Sequence, residues 1–241
     1  MRREYKKYGF GVLITVMSLL LPYHSQAQYK PWNYNKFHIG VQGGVSWPYD
    51  RFGTGHNIKY ASYVNKGYNI ILQTVYFYNP NYGFGINFIW NEHPVNNEKL
   101  AGAYLKSNSA YKTAVAEVGS FYMPTVTAGM YFQIPLNEYF AFTAALHAGV
   151  QTVIKPAGRV DVTTSFSTIT IEETGLTMAK FVWYYKFGMQ FKIARNIHLV
   201  FDAAYTGATY QFEYSRNNKE ISEPQHIGDV MYRFGVAYKF D

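Results

Sequence analysis

Residues 181–193 read Phe-Val-Trp-Tyr-Tyr-Lys-Phe-Gly-Met-Gln-Phe-Lys-Ile, and residues 230–240 read Val-Met-Tyr-Arg-Phe-Gly-Val-Ala-Tyr-Lys-Phe. In the first run Phe181, Trp183, Tyr185, Phe187, Met189, Phe191 and Ile193 fall on alternate positions. In the second Val230, Tyr232, Phe234, Val236, Tyr238 and Phe240 do the same. Lys186, Gln190 and Arg233 stand among the residues between. A period of two is that of a β-strand, so each run presents one wholly apolar face and one polar face.

The pattern recurs along the chain. It gives Phe37, Ile39, Val41, Val45 and Trp47; Tyr68, Ile70, Leu72, Tyr76 and Tyr78; and Phe84, Ile86, Phe88 and Trp90. Tyr122, Val126, Met130 and Phe132 follow, then Phe140, Phe142, Leu146 and Val150, then Ile197, Leu199, Phe201 and Tyr205. These eight apolar faces contain no Lys, Arg, Asp, Glu or His, and Thr74 is their most polar side chain. The runs have the length of a tilted membrane-crossing strand, about 10 residues. A water-facing sandwich would bury such faces against a second sheet, but it has no need of aromatic residues at both ends of nearly every strand. Two membrane interfaces do. With 19% aromatic residues and a mean hydropathy of −0.19, the chain is aromatic yet polar on average. The reading is therefore all-β: an eight-stranded antiparallel up-and-down transmembrane β-barrel.

The connections support it. Asn79-Pro80-Asn81, Pro135-Leu136-Asn137-Glu138 and Ala194-Arg195-Asn196 are tight turns, whereas 48–66, 94–120, 153–180 and 215–228 are long. Short turns on one rim and long loops on the other match the periplasmic and extracellular sides of an outer-membrane barrel. Two loops carry order of their own: 160–166 and 168–172 pair as a hairpin, and the seventh strand continues through Tyr210, Phe212 and Tyr214 to a turn at Asn217-Asn218.

At the other end of the chain, Arg2, Arg3, Lys6 and Lys7 precede the apolar run Val12 to Leu21, which Pro22 ends. Ser25-Gln26-Ala27 then supplies the small residues of a cleavage site before Gln28. Residues 1–27 are expected to be a signal peptide and 28–241 the barrel. The apolar run is too short for a spanning helix. The chain has no cysteine, which excludes disulfides and lipoprotein anchoring. Removing the leader lowers the net charge from +7 to +4, and no basic stripe or motif points to nucleic acid.

Signal peptide, eight girdled strands, alternating loops and the terminal run Arg233 to Phe240 together resemble the small outer-membrane barrels of OmpA and OmpX type. A start at Gln28 is more particularly similar to the outer-membrane barrel proteins of Bacteroidota. The resemblance implies insertion into the bacterial outer membrane. Family members usually end on the aromatic residue, whereas here Asp241 follows Phe240.

The lumen of eight strands is just wide enough for side chains to fill. Inward residues by parity include His38, Gln42, Asn69, Gln73, Asn87, Thr125, Thr127, Thr143, His147, Gln190 and Thr206. Lys186, Asp202 and Arg233 are expected to meet as a charge cluster, with Lys186 across from Ala204. A proton or ion path and a hydrogen-bonded plug are both compatible with this set, and the plug is preferred. The three inward histidines, His38, His147 and His198, fall at different heights and lack ligand spacing, so no metal or cofactor is expected. Lys30, Lys36, Lys192, Arg195 and Lys239 are expected to form a basic periplasmic rim facing lipid headgroups or an envelope protein.

A non-enzymatic structural or surface-interaction role follows, with outer-membrane lipids as the surrounding partner. The alternative is a barrel subunit of an envelope machine such as a secretion apparatus, and third comes a lipid-modifying enzyme. Enzymatic members of the resembled family use a Ser/His/acid group on the lipid-facing wall or an apolar acyl-holding interior. Neither pattern is present here, and the remaining rim candidates are His93, Ser120 and Glu117.

Overall fold

A computed structural model describes residues 36–49, 52, 63–216 and 219–240 of the protein. The expected signal peptide and Lys30 lie outside the described residues. Eight strands close into one antiparallel barrel: β1 (Phe37–Tyr49), β2 (Gly67–Phe77), β3 (Tyr82–Pro94), β5 (Ser120–Pro135), β6 (Phe140–Lys155), β9 (Leu176–Lys192), β10 (Ile197–Arg216) and β11 (Lys219–Phe240). Each of the eight alternating runs in the sequence falls on one of them. Closure comes from β1 and β11, which pair from Phe37↔Phe240 to Tyr49↔Gly228.

The predicted parity holds on every strand. Inward residues are buried, as in Asn69, Ile71, Gln73, Val75 and Phe77 on β2, while Val41, Leu72 and Phe187 on the outside are 50%, 46% and 61% exposed. The outward rings form two belts. Near the short turns Phe37 meets Phe240, Tyr82 meets Phe132 and Phe140 meets Phe191; near the long loops Trp47 meets Tyr232, Tyr49 meets Tyr205 and Trp90 meets Tyr122. Between the belts the outer wall is mainly aliphatic and phenyl, with Thr74 bonded back to the Ile86 carbonyl oxygen.

Asparagine fixes two of the short turns. The Asn79 Oδ1 accepts from the backbone nitrogens of Asn81 and Tyr82, and Asn137 Oδ1 accepts from those of Tyr139 and Phe140. Side-chain oxygens placed this way stand in for backbone acceptors and tighten the turn.

At the long-loop end the chain builds a cap. The expected hairpin is β7 (Gly158–Thr163) with β8 (Thr168–Glu173), and the expected extension is the β10–β11 ladder, which runs out to Arg216↔Lys219. The cap also holds two elements absent from the sequence reading: the strand β4 (Thr113–Val118), which pairs with β7, and the helix α1 (Asn97–Ser107). Asn96 caps the helix through Oδ1, which accepts from Lys99 N at 3.0 Å, and Glu98 and Lys106 sit at the ends that suit the helix dipole. Leu100, Ala101 and Tyr104 turn inward to an apolar core with Phe52, Phe121, Met123, Val153, Val160, Val162, Tyr210 and Ile227. Because Phe121, Met123, Val153 and Ile227 belong to barrel strands, this core joins the cap to the barrel's mouth.

Gly44 and Gly102 show opposite requirements. A Cβ on Gly44 would run into the Tyr232 carbonyl oxygen and lie 2.8 Å from the Arg233 Cα, because β1 and β11 approach closely at the seam that closes the barrel. On Gly102, inside α1, a Cβ meets nothing within 4 Å. Gly44→Ala is expected to abolish the heat-modifiable folded band on gels. Gly102→Ala should stabilise the cap helix by about 0.5–1 kcal/mol, read as a higher urea midpoint of that region.

Candidate functional site

The lumen is filled in rungs set by strand register. Along the β2–β3 and β10–β11 ladders the inward pairs Asn69↔Asn91 and Thr206↔Asp229 are polar. The next pairs, Ile71↔Ile89 and Ala204↔Met231, are apolar. Gln73↔Asn87 and Asp202↔Arg233 come next and are polar again, and Val75↔Gly85 and Val200↔Gly235 follow them. Ile71, Ile89, Tyr184, Ala204 and Met231 form one contact cluster, and Val75, Phe77, Tyr131 and Ala145 another. The first joins side chains from β2 and β3 to side chains from β9, β10 and β11, so an apolar layer crosses the lumen. With the cap core above it, the polar groups are divided into separate compartments.

The middle compartment brings Lys186, Asp202 and Arg233 together. Arg233 Nε donates to Asp202 Oδ1 at 2.7 Å, and Lys186 Nζ lies 3.7 Å from Asp202 Oδ2, all three side chains fully buried. Lys186 stands across from Ala204, diagonal to Asp202, and Asp202 is directly paired with Arg233. Long side chains span that diagonal. Further partners complete the set: Lys186 Nζ donates to Gln73 Oε1 at 2.8 Å and lies 4.6 Å from the centre of the Tyr131 ring, and Arg233 Nη2 donates to the Tyr184 hydroxyl. Tyr131 and Tyr184 were not anticipated; their parity on β5 and β9 already placed them inside, and only their phenol groups hinted at a polar role. Gln190 Nε2 donates to the Tyr131 hydroxyl at 3.1 Å, and His147 Nδ1 lies 3.0 Å from Asn87 Nδ2.

The three inward histidines stand apart. His38 and His198 lie at the short-turn end, opposite Lys239 and Lys192, and His147 lies in mid-barrel. Among the described residues no group of histidine and carboxylate side chains has the arrangement of a metal site.

The basic rim is corrected in part. Lys36 and Arg195 are exposed at the short-turn end, but Lys239 is 1% exposed and its Nζ donates to Gln133 Oε1 at 3.4 Å inside the barrel. The reason is parity. Odd-numbered residues of β11 face inward, so Lys239 shares the face of Arg233 despite its place near the chain's end. Lys192, on an inward position of β9, is half-buried.

Of the rim residues, His93 points inward beneath the cap, with Nδ1 3.0 Å from the Asn65 carbonyl oxygen and Nε2 3.0 Å from Asp229 Oδ1 and 3.1 Å from Ser46 Oγ. The Phe52 ring packs edge-on against it, and Phe121 in turn packs edge-on against Phe52. Glu117 faces solvent on the outer side of β4, opposite Arg159, and Ser120 begins β5. His93 therefore works as a buried junction of β3, β11, β1 and the first loop, a role legible only once register had placed Asp229. On the cap's outer face the Arg159 guanidinium and then the Thr170 hydroxyl hold the Asp161 carboxyl below its usual range.

No protein-family model matches the sequence, and a search of curated proteins finds no match. Similar solved structures include OprG from Pseudomonas aeruginosa, with a TM-score of 0.49, 10% identity and coverage of 86% of this chain and 97% of that one. Ail of Yersinia pestis scores 0.39 with 17% identity over 86% and 97%. The outer membrane protease OmpT of Escherichia coli scores 0.39 with 10% identity over 85% and 79%. At such identities no residue role transfers.

Asp202 is the carboxylate shared by two buried cations, so Asp202→Asn is expected to destabilise the refolded barrel by about 3–5 kcal/mol. Adding Lys186→Met and Arg233→Met should recover part of that loss, since an apolar rung needs no counter-charge. Urea unfolding of the single and triple variants distinguishes this from a hydrated cluster, for which Asp202→Asn would be near neutral.

Proposed function

We propose that the chain is a non-enzymatic protein of the bacterial outer membrane, a plugged barrel that holds an ordered cap at the cell surface for structural or interaction roles. The observation that carries the proposal is the pairing of an apolar outer wall with an interrupted interior. Side chains such as Phe187, Val41 and Leu72 are apolar and widely exposed, as lipid contact requires and as water-facing proteins avoid over large areas. Meanwhile the apolar rungs and the cap core argue against a continuous polar path.

The cap supports the interaction role. Thr164 fixes the β7–β8 tip: its nitrogen donates to Ser167 O at 2.8 Å, and its hydroxyl accepts from Phe166 N and Ser167 N. That tight turn presents Phe166, which is 99% exposed. An apolar ring presented to water on an ordered turn gains free energy when a partner covers it, and aromatic side chains are common binding anchors.

A role in an envelope machine is the second reading, favoured by the exposed Lys36 and Arg195 at the opposite end.

Two measurements test the proposal. In planar bilayers the refolded chain should give no discrete conductance steps. In cells, shortening the 158–173 hairpin should reduce surface adhesion while leaving the secreted proteins unchanged. Discrete steps would overturn the plug, and loss of secretion with intact adhesion would favour the machine.

A further inference from the structure

Both ring nitrogens of the buried His93 face oxygens. Nδ1 lies 3.0 Å from the Asn65 carbonyl oxygen, and Nε2 lies 3.0 Å from Asp229 Oδ1 and 3.1 Å from Ser46 Oγ. A carbonyl oxygen only accepts, so Nδ1 must carry a hydrogen. In a neutral ring Nε2 would then turn a lone pair on a buried carboxylate. The Ser46 hydroxyl is able to donate to that lone pair, but this leaves Asp229 Oδ1 unaided, since it has no hydrogen bond among the described residues. Asn91 Nδ2 serves only Oδ2, at 3.2 Å. A hydrogen on Nε2 as well makes both contacts favourable. It also sets one positive charge against one negative charge in an interior where an unpaired carboxylate is costly.

Among the described residues no other charge competes for the pair. Glu92, the neighbour on β3, faces outward and accepts from the Tyr68 hydroxyl, and Lys66 Nζ lies over the outward Trp47 ring. The Tyr210 hydroxyl of β10 donates to Gln151, and on the cap side Phe52 and Phe121 are apolar. Lys186, Asp202 and Arg233 lie beyond the apolar layer of Ile71, Ile89, Ala204 and Met231.

The contact at Asn65 continues to the cap helix. The Asn65 nitrogen donates to Pro94 O at 2.8 Å, the Asn96 nitrogen donates to Tyr63 O at 2.7 Å, and Asn96 Nδ2 donates to Asn65 Oδ1 at 3.2 Å. Asn96 is the residue that caps α1. Gly67 permits the close approach of this loop, because a Cβ there would lie 2.9 Å from His93 Nδ1. The tie from the ring to α1 is thus unbroken.

We propose that His93 is an imidazolium in the folded protein and that its second proton is a latch, tying the first long loop and α1 to β1 and β11 at the barrel's mouth. Loss of that proton under alkaline conditions loosens the cap while the strand pairing of the barrel persists. A free histidine gives up its proton near pH 6.5, so above about that value opening the junction releases a proton. The open fraction then rises by up to about tenfold per pH unit until the closed form is discharged too. Below about pH 6.5 both forms hold the proton, and the latch is at full strength.

The test places a nitroxide on Lys99→Cys, at an exposed position of α1, in the full mature chain in lipid bilayers. Its mobility is followed from about pH 6 to about pH 9, the range in which histidine switches operate. The mobile fraction should rise with pH and fall again on acidification, and nitrogen NMR should show both His93 ring nitrogens protonated at the acid end. Asp229→Asn should move the transition to lower pH. His93→Gln, which keeps one donor and one acceptor, should remove it. A nitroxide at Phe187, on the outer wall, should not respond. An α1 label equally ordered across the range, a transition that survives His93→Gln, or a neutral ring at the acid end overturns the proposal. Should His93→Gln fail to fold, the Asp229→Asn shift and the NMR of the unsubstituted chain still decide.

Discussion

The constraint on which the structure depends is that every peptide group crossing an apolar medium must find its hydrogen-bond partner within the protein. A flat sheet fails this at its two edges. Here β1 and β11 meet and remove them, and their long pairing from Phe37↔Phe240 to Tyr49↔Gly228 is possible because Gly44 lets the two backbones approach. Closure divides the side chains into two populations with opposite surroundings. Because alternation is strict, a shift of one residue in any strand would carry charges to the outer wall and phenyl rings inside.

The interior faces a separate problem, since eight strands enclose too little space for bulk water but too much polar surface to leave unsatisfied. It is solved by stacking rungs. Apolar side chains from facing walls meet and separate polar groups, some of which satisfy one another within a rung, as Gln73 does with Asn87 and Lys186. The mid-barrel charges Lys186, Asp202 and Arg233 occur where a partner lies across or diagonal to them. The cap repeats the same logic outside the barrel: its helix and three-stranded sheet bury an apolar core over the mouth, while ionised groups such as Arg159 and Asp161 pair on the solvent side.

Much of this was legible in the sequence because the lipid-type face is so uniform. Trp183, Tyr185 and Phe187 need no partner to be assigned outward, and the turn at Ala194-Arg195-Asn196 sets the register that places Lys186 across from Ala204. The cap helix was not legible because its signal is short and weak. Leu100, Ala101 and Tyr104 give barely one apolar stripe, and the helix is held by packing on barrel residues far away in sequence. Lys239 lies inside because the alternation of β11, and not nearness to the rim, sets the face it occupies. The His93–Asp229 junction joins residues more than a hundred positions apart, and no local pattern announces it.

The two-environment account is tested most directly by spin labels, since the chain has no cysteine and single cysteines can be introduced freely. Labels at Phe88, Phe142 and Phe187 should be readily relaxed by oxygen and shielded from a water-soluble nickel chelate in lipid bilayers. Labels at Asn87, Thr143 and Ala145 should be shielded from both, as expected of a packed interior. If the inward labels respond to the nickel chelate, the lumen is an open aqueous channel and not a plug. If the outward ones do, the apolar wall does not face lipid and the account fails.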